Sequence, residues 1–357
     1  MPLHKFLPTS TEAKFYSRCS DNAVKCELCI NRCEIKPDET GFCGVRYNEN
    51  GKLISLVHGR IAAMRLAPSE LKPFYHYYPG LLWLSIGTLG CNLKCPGCQN
   101  WHLSQSPAHP GLLSTDSMTA KRVAEIADLA HCAGISFTYN EPTVWLEYTA
   151  ECSKAAKERN LLSTYVSNGM MSDKALDSLI GNVSAFRFDI KGFSEKSYNF
   201  MPNPSDWKQV LRNSKAVFES NTHLELVTNI IPGLNDDTTE LQDLAEWIKS
   251  ELGAEVPWHL TKFHPSHKFV YVEPTPLQTL ERIRNIAMES GLQYVYIGNE
   301  PGHPAESTYC PSCKSKVIGR EGMAITSTQI ESGSCKKCGY HINVIGAPEL
   351  TDDYEVD

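Results

Sequence analysis

The chain has 357 residues, 41% of them hydrophobic and 21% charged, with a formal net charge of −7. That composition supports a sizeable core with small appendages, and it argues against global disorder and against broad attraction to nucleic acid or anionic membrane. No apolar run approaches the roughly 18 residues of a membrane span, and the start MPLHKFLPTSTEAKF has no signal-type apolar stretch, so the chain reads as cytoplasmic.

In chain order, residues 1–60 form a Cys-rich segment short on apolar runs, expected to bind metal, which ends in the strand-like GKLISLVHGR after an Asn-Gly turn. Residues 80–300 alternate two kinds of segment. Apolar or β-branched runs (LLWLSIGT, GISFTY, LLSTYVS, SAFRFDI, LELVTNII, WHLTKF, YVYIG) predict strands. Longer amphipathic stretches between them, several opening on Asp, Ser or Thr and closing on Gly or Asn, predict capped helices. Such alternation predicts an α/β fold with a parallel sheet and crossover helices, a partial TIM-type (β/α)6-like barrel flanked by small Cys-rich metal-binding segments. A doubly wound sheet gives a similar pattern, and either fold places chemistry at the carboxyl ends of the strands. Residues 301–347 are Cys-rich again, and 348–357 form a short acidic tail.

Eleven of the fourteen cysteines fall into three clusters, and in a reducing compartment metal binding explains them better than disulfides. Cys26, Cys29, Cys33 and Cys43 form the first, Cys91, Cys95 and Cys98 the second, and Cys310, Cys313, Cys335 and Cys338 the third. Cys132 and Cys152 sit in helical patterns and read as core residues, while Cys19 reads as a surface thiol.

The middle cluster, in GTLGCNLKCPGCQNW, follows the first barrel strand, and its glycines and proline mark a turn. One reading is a zinc site completed by His102 or a distant residue. The sharper reading is an iron–sulfur cluster. Such clusters normally take four thiolates, so three leave one iron free to bind a small molecule.

This C-x3-C-x2-C turn after a first strand resembles that of the radical S-adenosylmethionine (SAM) superfamily. With TYNEP, DIKGF, IPGLNDD, FHPSH and YIGNEPGHPAESTYCPSC, nearly the whole chain resembles the AmmeMemoRadiSam system radical enzymes, relatives of pyruvate formate-lyase activating enzyme. One position departs: the residue before the third cysteine is usually aromatic, and here it is Gly97. The resemblance implies a [4Fe–4S] cluster on Cys91, Cys95 and Cys98, whose open iron is chelated by SAM. It implies that Glu141, with Asn140 beside it, takes the methionine amino group where relatives carry Gly-Gly-Glu-Pro; Asn-Glu-Pro also suits a helix start. Asn168, with Ser167 weaker, would reach the ribose, although an Asn-Gly turn forms without a ligand. Asp189 and Lys191 match an Asp-x-Lys pattern of activating enzymes, against an ordinary ion pair. His264 aligns with a cofactor-contacting histidine, against a plain loop residue. Asn229 and Gly233 would line the adenine and methionine side.

Two CxxC pairs separated by 21 residues, at Cys310/Cys313 and Cys335/Cys338, predict a zinc ribbon with a structural ion. The Cys26, Cys29, Cys33, Cys43 set predicts zinc, with an auxiliary iron–sulfur cluster as the competitor. The expected function is reductive cleavage of SAM to a 5'-deoxyadenosyl radical that abstracts hydrogen from a protein, peptide or small molecule. A glycyl-radical-enzyme activase is the alternative within that chemistry, and a zinc-bearing scaffold the alternative outside it. The resemblance also implies a flavodoxin- or ferredoxin-like electron donor and, from the family name, Memo-like and AMMECR-type partners.

Overall fold

A computed structural model describes residues 11–106, 115–201 and 206–351. The last six residues of the acidic tail expected at 348–357 lie outside the described residues. The chain divides into two compact units. The first comprises residues 1–66, 83–186 and 199–222, and the second residues 67–82, 187–198 and 223–357.

In the first unit, β1 (Arg46–Glu49) and β2 (Lys52–Ser55) pair antiparallel with Glu49 opposite Lys52. Asn50 and Gly51 between them both have positive φ (49° and 88°), the conformation a two-residue hairpin turn needs and an Asn-Gly pair adopts readily. Next come β3 (Leu82–Gly87), of which only Leu82 falls in the second unit, β4 (Gly134–Phe137) and β5 (Leu162–Ser167), with β4 parallel to both neighbours. Ile86, Phe137 and Tyr165 are in register, so the carboxyl ends of the three strands lie side by side. Gly134 admits no side chain: a Cβ there would sit 2.0 Å from the Leu162 carbonyl oxygen.

The helices of this unit are α1 (Ala120–Leu129), α2 (Leu146–Lys157), α3 (Asp173–Leu179) and α4 (Gln209–Glu219). Thr119 caps α1 and Ser172 caps α3, each hydroxyl accepting a backbone N–H of the first turn. α1 stops because His131 takes φ 54° and the Cys132 N–H turns back to the Ala127 carbonyl, a Schellman-type end. Cys132 therefore lies beyond the helix, while Cys152 lies within α2; both are buried, as packing residues should be.

β6 (Ala185–Asp189) crosses the boundary between the units, its last three residues belonging to the second. There β7 (His223–Ile230), β8 (Trp258–Lys262) and β9 (Val295–Gly298) run parallel with β8 in the middle. α5 (Thr238–Trp247), capped by Asp237, and α6 (Leu277–Glu289) supply the crossovers. The mixed α/β class, with parallel strands linked through helices, is the one the alternating pattern predicts.

The second unit carries an unusual buried polar chain. Arg320 donates to the Thr308 hydroxyl (2.8 Å), which stands 2.9 Å from the Tyr296 hydroxyl, itself 2.6 Å from His76 Nε2. His76 Nδ1 lies 2.5 Å from the Asn343 carbonyl, which can only accept, so Nδ1 carries the proton and Nε2 accepts from Tyr296. The direction of every hydrogen bond in the chain is thereby fixed. The backbone adds two bonds between the same segments, from Ile345 N–H to the His76 carbonyl and from Tyr78 N–H to the Ile345 carbonyl. β10 (Lys316–Glu321) and β11 (Ala324–Thr328) form an antiparallel pair beside this region of the sequence.

Candidate active site and metal centres

Thr88 to Cys98 continue directly from β3, and the loop is held by side chains that follow β4 and β5. The Asn140 amide oxygen accepts the Thr88 N–H (3.0 Å), and its amide donates to the Gly90 carbonyl (2.7 Å). Asn140 thus clamps the turn just ahead of Cys91. Gly90 needs its lack of a side chain, with φ 86° and a Cβ position only 2.7 Å from the Cys43 carbonyl oxygen. Tyr139 stands in the left-handed region at φ 74°.

Glu141 is 3% exposed, and its carboxylate is surrounded by donors. Oε1 accepts from the Thr143 hydroxyl (2.6 Å), the Thr143 N–H (3.1 Å) and the Ser167 hydroxyl (2.8 Å), and Oε2 accepts the Asn168 N–H (2.8 Å). Burial raises its pKa above the ordinary value, while those hydrogen bonds pull the other way. Glu141 also caps the short helix Pro142–Trp145, so the helix-start reading of Asn-Glu-Pro is realised in the fold. The Asn168 amide donates to Asn92 Oδ1 (2.7 Å), and its oxygen accepts the Met170 N–H.

Asn92 is a residue the sequence reading missed. It is 1% exposed, and its amide nitrogen has no hydrogen-bond partner. Its place directly after Cys91 was the available signal, but an Asn in a turn is too common to stand out. Cys91 is buried beside these groups, and burial first, then the charge of Glu141, push its thiol well above its ordinary pKa. Cys95 Sγ lies 3.5 Å from Met201 Sδ, and Cys98 Sγ 3.3 Å from the Ser104 hydroxyl.

Cys91, Cys95, Cys98, Asn140, Glu141, Ser167 and Asn168 all belong to the first unit, at the end of or just beyond three adjacent strands. The other expected cofactor residues belong to the second. Asp189 bridges Arg187 (2.8 Å) and Lys191 (3.0 Å). Burial opposes its ionisation, but the two cations outweigh it and hold the carboxyl below its usual range. Asn229 donates to Thr261 and to the Lys262 carbonyl, Gly233 takes φ 75°, and His264 is exposed.

Among the described residues, Cys310, Cys313, Cys335 and Cys338 are the one set of three or more His, Cys, Asp or Glu side chains whose ligand atoms all lie within 4.8 Å of one another. Two sulfur pairs stand at 3.6 Å (Cys310 and Cys338) and 3.7 Å (Cys313 and Cys335). Four thiolates on one tetrahedral zinc, at about 2.3 Å each, sit about 3.8 Å apart, so this set fits a single ion. The Ser315 hydroxyl beside Cys313 lowers that thiol to about 6, which favours the thiolate a metal binds. Neither the Cys91 trio nor the N-terminal four converge in this way.

A family model described as the Radical SAM superfamily matches residues 85–248. An uncharacterized protein of Methanocaldococcus jannaschii, MJ0808, is 38% identical over 339 residues, covering 94% of this chain and 99% of that protein. Among solved structures, a radical SAM methyltransferase from Sphaerobacter thermophilus is 15% identical, with a TM-score of 0.48, and covers 83% of this chain and 80% of that one. A domain of pyruvate-formate lyase-activating enzyme from Bacteroides vulgatus is 19% identical, with a TM-score of 0.40, and covers 46% of this chain and 99% of that one.

Proposed function

The chain belongs to the radical SAM superfamily, and from that premise we propose that Cys91, Cys95 and Cys98 hold a [4Fe–4S] cluster whose fourth iron is left for S-adenosylmethionine. It is a radical SAM enzyme, and membership carries SAM, an iron–sulfur cluster and a source of electrons with it. When bound, these cofactors supply reductive cleavage of the sulfonium to a 5'-deoxyadenosyl radical able to abstract hydrogen.

The chain's own residues fit that chemistry. Three thiols on one turn, spaced too widely for a single ion, suit a polynuclear cluster. Asn140 fixes the turn by binding both Thr88 and Gly90, so two hydrogen bonds hold the ligand loop. Glu141 places a buried carboxylate in the same group of side chains, where it would draw the cationic amine of SAM and, once paired, lose the penalty of its burial. Asn168 would serve the ribose side, and Ser167 would hold Glu141 in place. From the resemblance alone, we assign further cofactor contacts to Asp189, Lys191, Asn229 and His264.

The observation that carries the reading is the open three-thiol turn clamped by Asn140 beside Glu141. Anaerobically reconstituted protein given SAM and dithionite should release 5'-deoxyadenosine and methionine, and Cys95→Ala should not. Equal, background-level release from both would overturn the proposal. At the carboxyl end of the chain, where four cysteines converge, we propose structural zinc on Cys310, Cys313, Cys335 and Cys338. We further propose a flavodoxin- or ferredoxin-like donor, a cytoplasmic setting, and Memo-like and AMMECR-type proteins as partners. Co-purification under anaerobic conditions followed by mass spectrometry of the partners tests the last point. No described helix is long and apolar enough to cross a membrane.

A further inference from the structure

We propose that Cys26, Cys29, Cys33 and Cys43 hold a second iron–sulfur cluster, not the zinc their number first suggests, and that it relays single electrons to the cluster on Cys91, Cys95 and Cys98. The relay rests on the radical SAM reading above; the identity of the metal does not.

The first observation is spacing. The C-terminal thiols converge as a single ion requires, but no three of the N-terminal thiols lie within 4.8 Å of one another. Instead the four cysteines line the wall of one cavity, together with Leu28, Ile35 and Val144. A cluster spreads its thiolates over several irons and sets them farther apart than one ion does. Four cysteines lining one cavity are therefore an arrangement that suits a polynuclear core.

The second observation is an unsatisfied donor. Asn92 lines the same cavity, is 1% exposed, and its amide nitrogen has no partner. A buried N–H2 left unpaired costs roughly 1–3 kcal/mol. The sulfides and thiolates of a cluster accept hydrogen bonds, and such bonds tune its potential. The Phe42 N–H already points at Cys33 Sγ from 3.4 Å. Arg46, buried and paired to Glu147 at 2.7 Å, also lines the cavity and places a cation beside an anionic core.

The third observation is position. Asn92 follows Cys91 in sequence, its carbonyl accepts from Asn31 (2.7 Å), and its side-chain oxygen accepts from Asn168 (2.7 Å). The Cys43 carbonyl meets the loop at Gly90. One shared wall thus separates the two cysteine sets. Four thiolates leave no iron open to substrate, and the shared wall directs the proposal to electron transfer. One electron enters from a reduced flavodoxin-type protein and one leaves to the SAM-binding cluster, with no atom transferred.

Metal analysis and electron paramagnetic resonance of anaerobically purified and reconstituted protein test the assignment. Wild type should hold about eight irons and about one zinc per chain. Replacing Cys91, Cys95 and Cys98 together by Ala should leave about four irons and a reducible cluster signal. About four irons with about two zincs in wild type, and no iron in the triple variant, would overturn the proposal. Because the triple variant cannot cleave SAM, its iron reports on the N-terminal site whether or not the SAM chemistry is right. In Cys29→Ala/Cys33→Ala, 5'-deoxyadenosine release driven by dithionite should persist while release driven by reduced flavodoxin falls severalfold. Equal flavodoxin-driven rates in variant and wild type would overturn the relay.

Discussion

At the scale of single residues, Asn140 and His76 show how a polar side chain can be committed to one geometry. Asn140→Ala would orphan the Thr88 N–H and the Gly90 carbonyl inside the first unit. We expect a loss of about 1–3 kcal/mol in stability and a reconstituted protein with less iron on the central turn, measured by thermal melting and by iron content in a background lacking Cys26, Cys29, Cys33 and Cys43. His76 is neutral in the fold because burial drives its pKa from 6.5 down to about 3, with Glu225 opposing and Arg320 and His223 assisting. The unfolded chain protonates it near the ordinary value, so its contribution to stability is complete above about pH 6.5 and drains away as pH falls toward the folded value. Melting temperatures of His76→Gln against wild type should converge as pH drops from 7 to 4. Parallel curves would show that His76 does not titrate on unfolding.

At the scale of elements, much of the fold was legible because local rules and tertiary demands agree. The Asn50-Gly51 turn, the Thr119, Ser172 and Asp237 caps and the β-branched runs each carry their own physical reason, and the structure uses each of them. The CxxC pairs were legible for a similar reason: short spacing keeps the two thiols of each pair on one turn, although the closest sulfurs meet across the pairs. The N-terminal four were harder, since irregular spacing says which residues share a loop but not how far apart their sulfurs stand. Asn92 and the Asn140 clamp were invisible for a different reason, since both depend on strands that meet only through register. The C-terminal ribbon makes its own prediction. Cys310 and Cys335 are buried with Val317 and Ile342 in a small cluster, which the proposed zinc would brace. A zinc chelator should therefore release one ion and lower the unfolding temperature, and Cys313→Ser should behave like chelated wild type in both readouts.

At the scale of the whole molecule, the assignments proposed above would give the chain three metal addresses with different tasks: holding a fold, moving charge, and doing chemistry. The stretch after the ribbon adds a constraint of another kind. Its Asn343 carbonyl ends the ordered hydrogen-bond chain through His76, Ile345 pairs with residues 76–78, and Thr351 exchanges two hydrogen bonds with the backbone of Ile325. For genetic dissection this means the ribbon is no detachable cassette. A stop codon placed just after Cys338 would spare every metal ligand and still strip the acceptor from a buried imidazole, so a shortened protein that fails to fold would say nothing about zinc.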